Sequence, residues 1–308
     1  GNKMRIVFFG TPDFAVPSLR AAADSGHEVV AAVTQPDKER DRRKVSYSPV
    51  KQAALEMGLE VLQYDRVSKE GVDKLKSLDA DLFVTCAFGQ ILSQEILDIP
   101  PLGTINVHGS LLPKYRGASP IQRAIIDGEK YTGITIMRTA LKVDSGDILL
   151  QSVLEIGKRE NAGQLFDRMA AEGGNALKEA LELIASGRAV YTPQDSAEAT
   201  FCSMLKKDDG RLDFNMAADR LDCLIRGVTP WPSAYTFLDG KRLKILSAIP
   251  CEYNGAGAIG EVIDFDGNVI VKCGLGAIIL EEVQLEGGKR QDIATFLRGH
   301  DIFGKVLE

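Results

Sequence analysis

The sequence predicts an α/β domain with a mostly parallel sheet, followed by a small β-barrel of the oligonucleotide-binding type. Short apolar runs alternate with helical patterns through the first half of the chain. These runs are continuously apolar, as strands are when helices cover both faces of a parallel sheet. After about residue 210 the pattern changes to strand pairs with Asp-Gly at or near the turns, which is a strong hairpin signal.

The elements of the first domain follow in a regular order. Strands are predicted at RIVFFG, EVVAAVT, LEVLQ, ADLFVTCAF and GTINVHG, with helices over residues 18–26 and 49–58 between them. ITIMRTAL and DILLQSVLEI come next with little helix between them, which predicts an antiparallel pair at the edge of the sheet. A long amphipathic helix is predicted over 162–187, and the irregular stretch after it is typical of a connector.

Composition bounds the functions that need to be considered. Hydrophobic residues make up 44% of the 308 positions and charged residues 26%, which is typical of a soluble globular protein. We find neither a membrane-spanning run nor a secretory signal, and the five scattered cysteines have no C-x-x-C spacing, so we expect a cytoplasmic protein without a metal site. The net charge of −6 excludes a generally basic nucleic-acid binder. Contact with nucleic acid would therefore need a local basic patch.

The most informative stretch is INVHGSLLPKYRG, residues 105–117. Asn106 and His108 interrupt an apolar strand, and residues two apart on a strand point to the same face. The pair falls at the carboxyl end of the strand, where parallel sheets bind their ligands. A hydrogen-bonded pair in the core remains the alternative.

Two further segments favour a binding site. Residues 110–120 are too rich in Gly and Pro for regular structure, yet they carry Leu111, Leu112 and Tyr115, as a loop lining a partly apolar ligand slot would. Asp144 lies in the tight turn of LKVDSGDIL and is either a simple turn former or the partner of the histidine.

INVHGSLLPKYRG and VDSGDIL together resemble the folate-dependent formyltransferases. RIVFFGTPDFAVPSL, TQPDKERDRRK with SPVK, and GVTPWPSAYT extend the similarity over the whole chain. The resemblance implies a Rossmann-like formyltransferase domain over residues 3–188, a linker over 189–207 and an OB-like barrel over 208–308. The implied co-substrate is 10-formyltetrahydrofolate and the implied acceptor is methionyl initiator tRNA. Neither a metal nor an obligate protein partner nor a membrane is implied.

The resemblance also implies roles for individual residues. Asn106, His108 and Asp144 correspond to the catalytic set of the family, an Asn-x-His strand with a distant Asp. The loop residues predicted to bind the folate are Ser110, Leu111, Leu112 and Pro113. VDSGD replaces the more usual LDTGD and keeps the acid and the glycine.

A local basic segment is the predicted tRNA contact. Residues 37–51 contain six basic and three acidic side chains, and they follow a strand of the predicted sheet. The tRNA-binding residues predicted here are Arg40, Arg42, Arg43 and Lys44. The segment departs from the Gly-Arg-Gly-Lys-Lys pattern of the family, which leaves open which of its cations touch tRNA. A solvated loop of alternating charges is the other interpretation.

Three other functions fit part of the sequence. A formyltransferase acting on an amino-sugar nucleotide would share the two-domain plan, but a nucleotide sugar has too few phosphates to need the basic segment. A formyltransferase acting on glycinamide ribonucleotide would leave the last hundred residues unexplained. A non-catalytic tRNA-binding protein would have a structural Asn–His pair and no formylation activity.

Overall fold

The computed structural model describes residues 3–40 and 44–308, and the chain divides into two compact units. The first unit consists of Gly1–Gly117, Tyr131–Glu155 and Phe166–Cys202. The second consists of Ala118–Lys130, Ile156–Leu165 and Ser203–Glu308. Two short segments from the middle of the chain therefore belong with the C-terminal unit.

Strands of the first unit are β1 Arg5–Gly10, β2 Glu28–Thr34, β3 Lys38–Arg40, β4 Lys44–Ser46, β5 Val61–Gln63, β6 Leu82–Cys86, β7 Thr104–His108, β8 Arg116–Gly117, β9 Tyr131–Arg138, β10 Ile148–Glu155 and β11 Phe201–Cys202. The helices described up to the connector are α1 Val16–Ala23, α2 Pro49–Glu56, α3 Val67–Glu70, α4 Val72–Ser77, α5 Gln94–Leu97, α6 Pro120–Ile126 and α7 Ala162–Ala185. Short 3-10 turns lie at Asp13–Ala15, Ser196–Glu198 and Lys207–Gly210.

Seven strands form the main sheet of the first unit, in the order β10-β9-β7-β6-β1-β2-β5. The five strands from β7 to β5 are parallel to one another, whereas β9 runs antiparallel to both β7 and β10. This arrangement confirms the predicted α/β sheet with an antiparallel edge pair. It also brings the carboxyl ends of β6 and β7 side by side.

Burial and capping explain why these segments form their elements. All five residues of β6 are buried, as expected of a central strand covered on both faces. Helix α2 begins where the Ser48 hydroxyl accepts a hydrogen bond from the Lys51 amide, with Pro49 in its first turn. Both signals are local, so the start of α2 at residue 49 agrees with the sequence prediction.

The basic segment after β2 is a hairpin held at its base. Strands β3 and β4 pair antiparallel. Beyond them Lys51 Nζ lies 2.9 Å from Asp37 Oδ2 and donates to Gln63 Oε1 at 2.9 Å. The ammonium also lies 3.7 Å from the centroid of the Tyr47 ring. The charge of Lys51 is therefore paired within the unit and adds little to a basic surface.

The second unit contains one six-stranded antiparallel sheet. Its strands are β12 Ala234–Leu238, β13 Lys241–Cys251, β14 Val262–Phe265, β15 Asn268–Lys272, β16 Ala277–Leu285 and β17 Arg290–Asp292, and its helices include α8 Ala218–Gly227 and α9 Ile293–Gly299. Both predicted hairpins, β12–β13 and β14–β15, are present. Their turns place Asp-Gly pairs in the left-handed conformation that two-residue hairpins require.

Residues 304–308 close this sheet into a barrel. The Phe237 and Glu308 amides each donate to the other's carbonyl at 3.1 Å, beside β12. On the other side the Val262 amide donates to the Lys305 carbonyl at 2.9 Å, and the Leu307 amide donates to the Gly260 carbonyl at 2.8 Å. One short segment thus bridges the two outer edges of the sheet. None of the helices in the described ranges has the length and apolarity needed to cross a bilayer.

Candidate active site

Asn106 is held at the end of β7 by the neighbouring strand β6. The two strands pair in register, with Thr85 opposite Asn106. Thr85 Oγ1 donates a hydrogen bond to Asn106 Oδ1 at 2.7 Å. Because the carbonyl of the carboxamide is engaged, its NH₂ group points away from β6. Across residues 3–40 and 44–308 this nitrogen has no hydrogen-bond acceptor, so it is available as a donor.

His108 lies on the same face and is 8% exposed. Its Nε2 is 2.9 Å from the Tyr115 carbonyl oxygen, and its Nδ1 is 3.5 Å from Asp144 Oδ1. Both neighbours are hydrogen-bond acceptors, so a proton on either ring nitrogen has an acceptor beside it. The ring is thus placed to donate, between a carbonyl and a carboxylate.

Asp144 reaches the histidine from the turn before β10. Its φ of 54° is left-handed, a conformation that Asp tolerates better than most residues. The Gly117 amide donates to Asp144 Oδ2 at 2.8 Å. Two glycines permit this close packing: a Cβ on Gly146 would lie 1.7 Å from the Arg138 carbonyl oxygen, and one on Gly117 would lie 2.3 Å from that of Cys202.

A carboxamide donor, a histidine and a carboxylate thus meet at the carboxyl end of a parallel sheet, and one family model spans all three. Residues 4–181 match the formyl transferase model, and residues 204–301 match the formyl transferase C-terminal domain. The chain belongs to the formyl transferase family.

Relatives and solved structures agree with this family. The chain is 46% identical over 299 residues to a methionyl-tRNA formyltransferase of Agathobacter rectalis, and the alignment covers 96% of each chain. An N-formyltransferase of Helicobacter canadensis, solved with folinic acid and dTDP-3-aminofucose, superposes with a TM-score of 0.67 at 17% identity, covering 91% of this chain and 99% of that one. A glycinamide ribonucleotide transformylase of Symbiobacterium toebii gives 0.54 at 22%, covering 63% of this chain and 96% of that one. At these identities the two structures show the formyl transferase fold alone.

The four residues predicted to bind folate differ in accessibility. Ser110 is fully buried and its hydroxyl donates to the Lys114 carbonyl at 2.7 Å. Leu112 is 3% exposed, and its amide donates to Thr135 Oγ1 at 3.1 Å. Leu111 and Pro113 are half-buried and retain accessible surface. In this structure the apolar surface available to a ligand therefore comes from Leu111 and Pro113.

Two of the four predicted tRNA contacts lie within the described residues. Arg42 and Arg43 are outside them. Arg40 and Lys44 are the facing ends of the two strands. The two strands of this segment are therefore paired with each other where the described residues reach it.

Sequence reasoning missed three polar residues around the site. Thr85 donates to Asn106, Arg116 donates to Gln194, and Gln194 donates to the Asp144 carbonyl. Thr85 looks like any threonine in an apolar strand, and Gln194 lies in the irregular connector. Arg116 belongs to the INVHGSLLPKYRG stretch, but nothing in that stretch indicates its burial. Their partners are distant in sequence, so no local pattern indicates these interactions.

A buried thiol lies close to these side chains. Cys86, at the end of β6, is fully buried, and burial raises the pKa of its thiol to about 12. Within the described ranges no group of three or more His, Cys, Asp or Glu side chains is arranged to hold a metal ion. The side chains that meet at the end of β7 offer a carboxamide donor in Asn106 and groups able to exchange protons in His108 and Asp144.

Proposed function

We propose that this chain transfers the formyl group of 10-formyltetrahydrofolate to the α-amine of methionyl initiator tRNA. The observation that carries the proposal is the meeting of Asn106, His108 and Asp144 in a chain that aligns along 96% of its length with a methionyl-tRNA formyltransferase. Acyl transfer to an amine needs donors for a developing oxyanion and an acceptor for the amine proton. This set of side chains supplies both.

Asn106 and His108 stabilise the oxyanion. When the amine attacks the formyl carbon, the carbonyl oxygen gains negative charge. The Asn106 NH₂ and one His108 N–H then donate to it. His108 Nε2 exchanges its bond to the Tyr115 carbonyl for a bond to this oxygen when the donor is bound. Loss of one such donor typically lowers kcat by about 100- to 1000-fold.

Asp144 accepts the proton that the attacking amine loses. This role is supported by its contacts, since Oδ1 faces His108 and Oδ2 accepts from the Gly117 amide. The new C–N bond forms to the amine, the bond to N10 of the folate breaks, and His108 returns a proton to N10. The attacking amine thus loses one proton to Asp144, and N10 of the folate gains one proton from His108.

The remaining predicted contacts complete the proposal. Ser110, Leu111, Leu112 and Pro113 form the folate wall, with Leu111 and Pro113 in direct contact. Arg40, Arg42, Arg43 and Lys44 bind tRNA phosphates. Residues 3–188 carry out catalysis, and the barrel over 208–308 assists tRNA binding in the cytoplasm.

The test is formylation with competing acceptors. Purified protein is incubated with 10-formyltetrahydrofolate and either methionyl-tRNA, a dTDP-amino sugar or glycinamide ribonucleotide, and products are identified by mass spectrometry. We expect formylmethionyl-tRNA alone, and loss of single-turnover activity in a folded His108→Ala protein. Formylation of the sugar nucleotide instead, or an active His108→Ala protein, would contradict the proposal.

A further inference from the structure

Arg116 is a buried cation beside the site. It is 1% exposed, and nowhere in the ranges 3–40 and 44–308 does it form an ion pair with a carboxylate. Instead its Nε and Nη2 donate to Gln194 Oε1 at 3.1 and 2.9 Å. Burying a guanidinium without a counter-ion is costly, so this arrangement needs an explanation beyond packing.

Gln194 connects Arg116 to the turn that carries Asp144. Its Nε2 donates to the Asp144 carbonyl at 2.8 Å and to the Gly146 carbonyl at 2.7 Å. Because Arg116 engages the oxygen of this amide, only the nitrogen can face the turn. One side chain thus holds the main chain on both sides of Ser145, in a turn where Asp144 is in the left-handed conformation.

The residue that follows Arg116 holds the carboxylate itself. Gly117 donates its amide hydrogen to Asp144 Oδ2, so β8 and its partner Gln194 fix Asp144 by side chain and main chain together. We propose that Arg116 and Gln194 are positioning residues that set the distance between the Asp144 carboxylate and His108. This inference rests on the proposed function, because it assigns Asp144 the role given there.

The expected signature is a loss of kcat at nearly constant KM. Neither Arg116 nor Gln194 has a place in substrate binding as proposed above, so ground-state affinity has no reason to change. A displacement of about 1 Å in a reacting group can lower the rate about 100-fold. Gln194 variants should therefore lose about 10- to 100-fold in kcat.

Gln194→Glu is the sharpest variant. A glutamate still accepts from Arg116 and now neutralises it, so the fold keeps its partner for the buried cation. It cannot donate to the Asp144 and Gly146 carbonyls, so the turn is released. We expect a protein that remains folded, as judged by circular dichroism, with the stated loss of kcat and faster hydrogen exchange of the Gly117 amide, measured by NMR.

Two further variants make the result decisive. Asp195→Ala changes the exposed neighbour of Gln194, whose carboxylate accepts only from the Ala197 amide within the described ranges, and should behave as wild type. Arg116→Lys keeps a charge and a donor for Gln194 and should lose less kcat than Gln194→Glu. It also provides the test of the pair if Gln194→Glu folds poorly. Wild-type kcat and wild-type Gly117 exchange in both site variants would overturn the proposal. If the wild-type protein formylates nothing, the proposed function fails, and Gly117 exchange alone decides whether the pair positions Asp144.

Discussion

Thr85 gives the sharpest test of how Asn106 is oriented. Thr85→Val removes the hydroxyl that donates to Asn106 Oδ1 at 2.7 Å, from a side chain that is only 5% exposed. Valine has nearly the same shape, so the change leaves the carboxamide oxygen without its donor. The carboxamide can then rotate and present its oxygen to the reacting formyl group.

The size of the effect follows from that unpaired oxygen. Leaving a buried acceptor unsatisfied costs about 1–3 kcal/mol, and about 1.4 kcal/mol corresponds to a factor of ten. If this cost falls on the reactive orientation, kcat should fall about 5- to 150-fold. Most of this range lies below the loss expected when the whole donor is removed in Asn106→Ala, about 100- to 1000-fold.

The assay is single-turnover formylation with saturating 10-formyltetrahydrofolate, alongside thermal unfolding. Thr85→Ser keeps the hydroxyl and should retain most of the activity. Thr104→Val is the matched control, because Thr104 is likewise buried but lies at the start of β7, away from Asn106, and donates to the Leu97 carbonyl. It should lose stability without losing kcat. A folded Thr85→Val protein with a kcat within about twofold of wild type would refute the reasoning.

Three other predictions concern tRNA, folate and thiol reactivity. Arg42→Ala combined with Arg43→Ala should raise KM for tRNA and leave folate affinity unchanged. The dependence of KM on salt should weaken by roughly 0.7 to 0.9 powers of salt concentration for each phosphate that is no longer neutralised. If the salt dependence stays the same, the segment is only a solvated surface. Saturation with a folate analogue should shift the methyl resonances of Leu111 in NMR spectra. If they do not shift, the folate-binding slot does not include Leu111. At about pH 8 iodoacetamide should spare Cys86 and Cys273 in the folded protein, because burial raises the pKa of each thiol to about 12; peptide mapping that finds either one alkylated would refute this.

The fold was largely predictable because its signals are local. The apolar run of β6, the proline and serine at the start of α2, and the Asp-Gly turns of the barrel each need only a few neighbouring residues to be recognised. The β3–β4 hairpin was not predicted. Its short strands consist largely of charged residues, which carry none of the alternating apolar pattern that marks a strand.

The site was predictable only in part. The common face of Asn106 and His108 follows from strand periodicity alone. The link to Asp144 came from a family resemblance, because 36 positions separate it from His108 and no local rule spans that distance. The bond from Gln194 to Asp144 crosses 50 positions. Such interactions exist only once the sheet has assembled.

Closure of the barrel by residues 304–308 has a consequence for how the chain is made. Residues 236 and 308, which share a hydrogen bond, lie 72 positions apart. During synthesis β12 and residues 260–262 emerge well before the segment that pairs with both of them. Until then the unit is an open sheet whose two edges can pair with other chains, which is a route to aggregation. The five residues that close the ring therefore also shield it against misassembly.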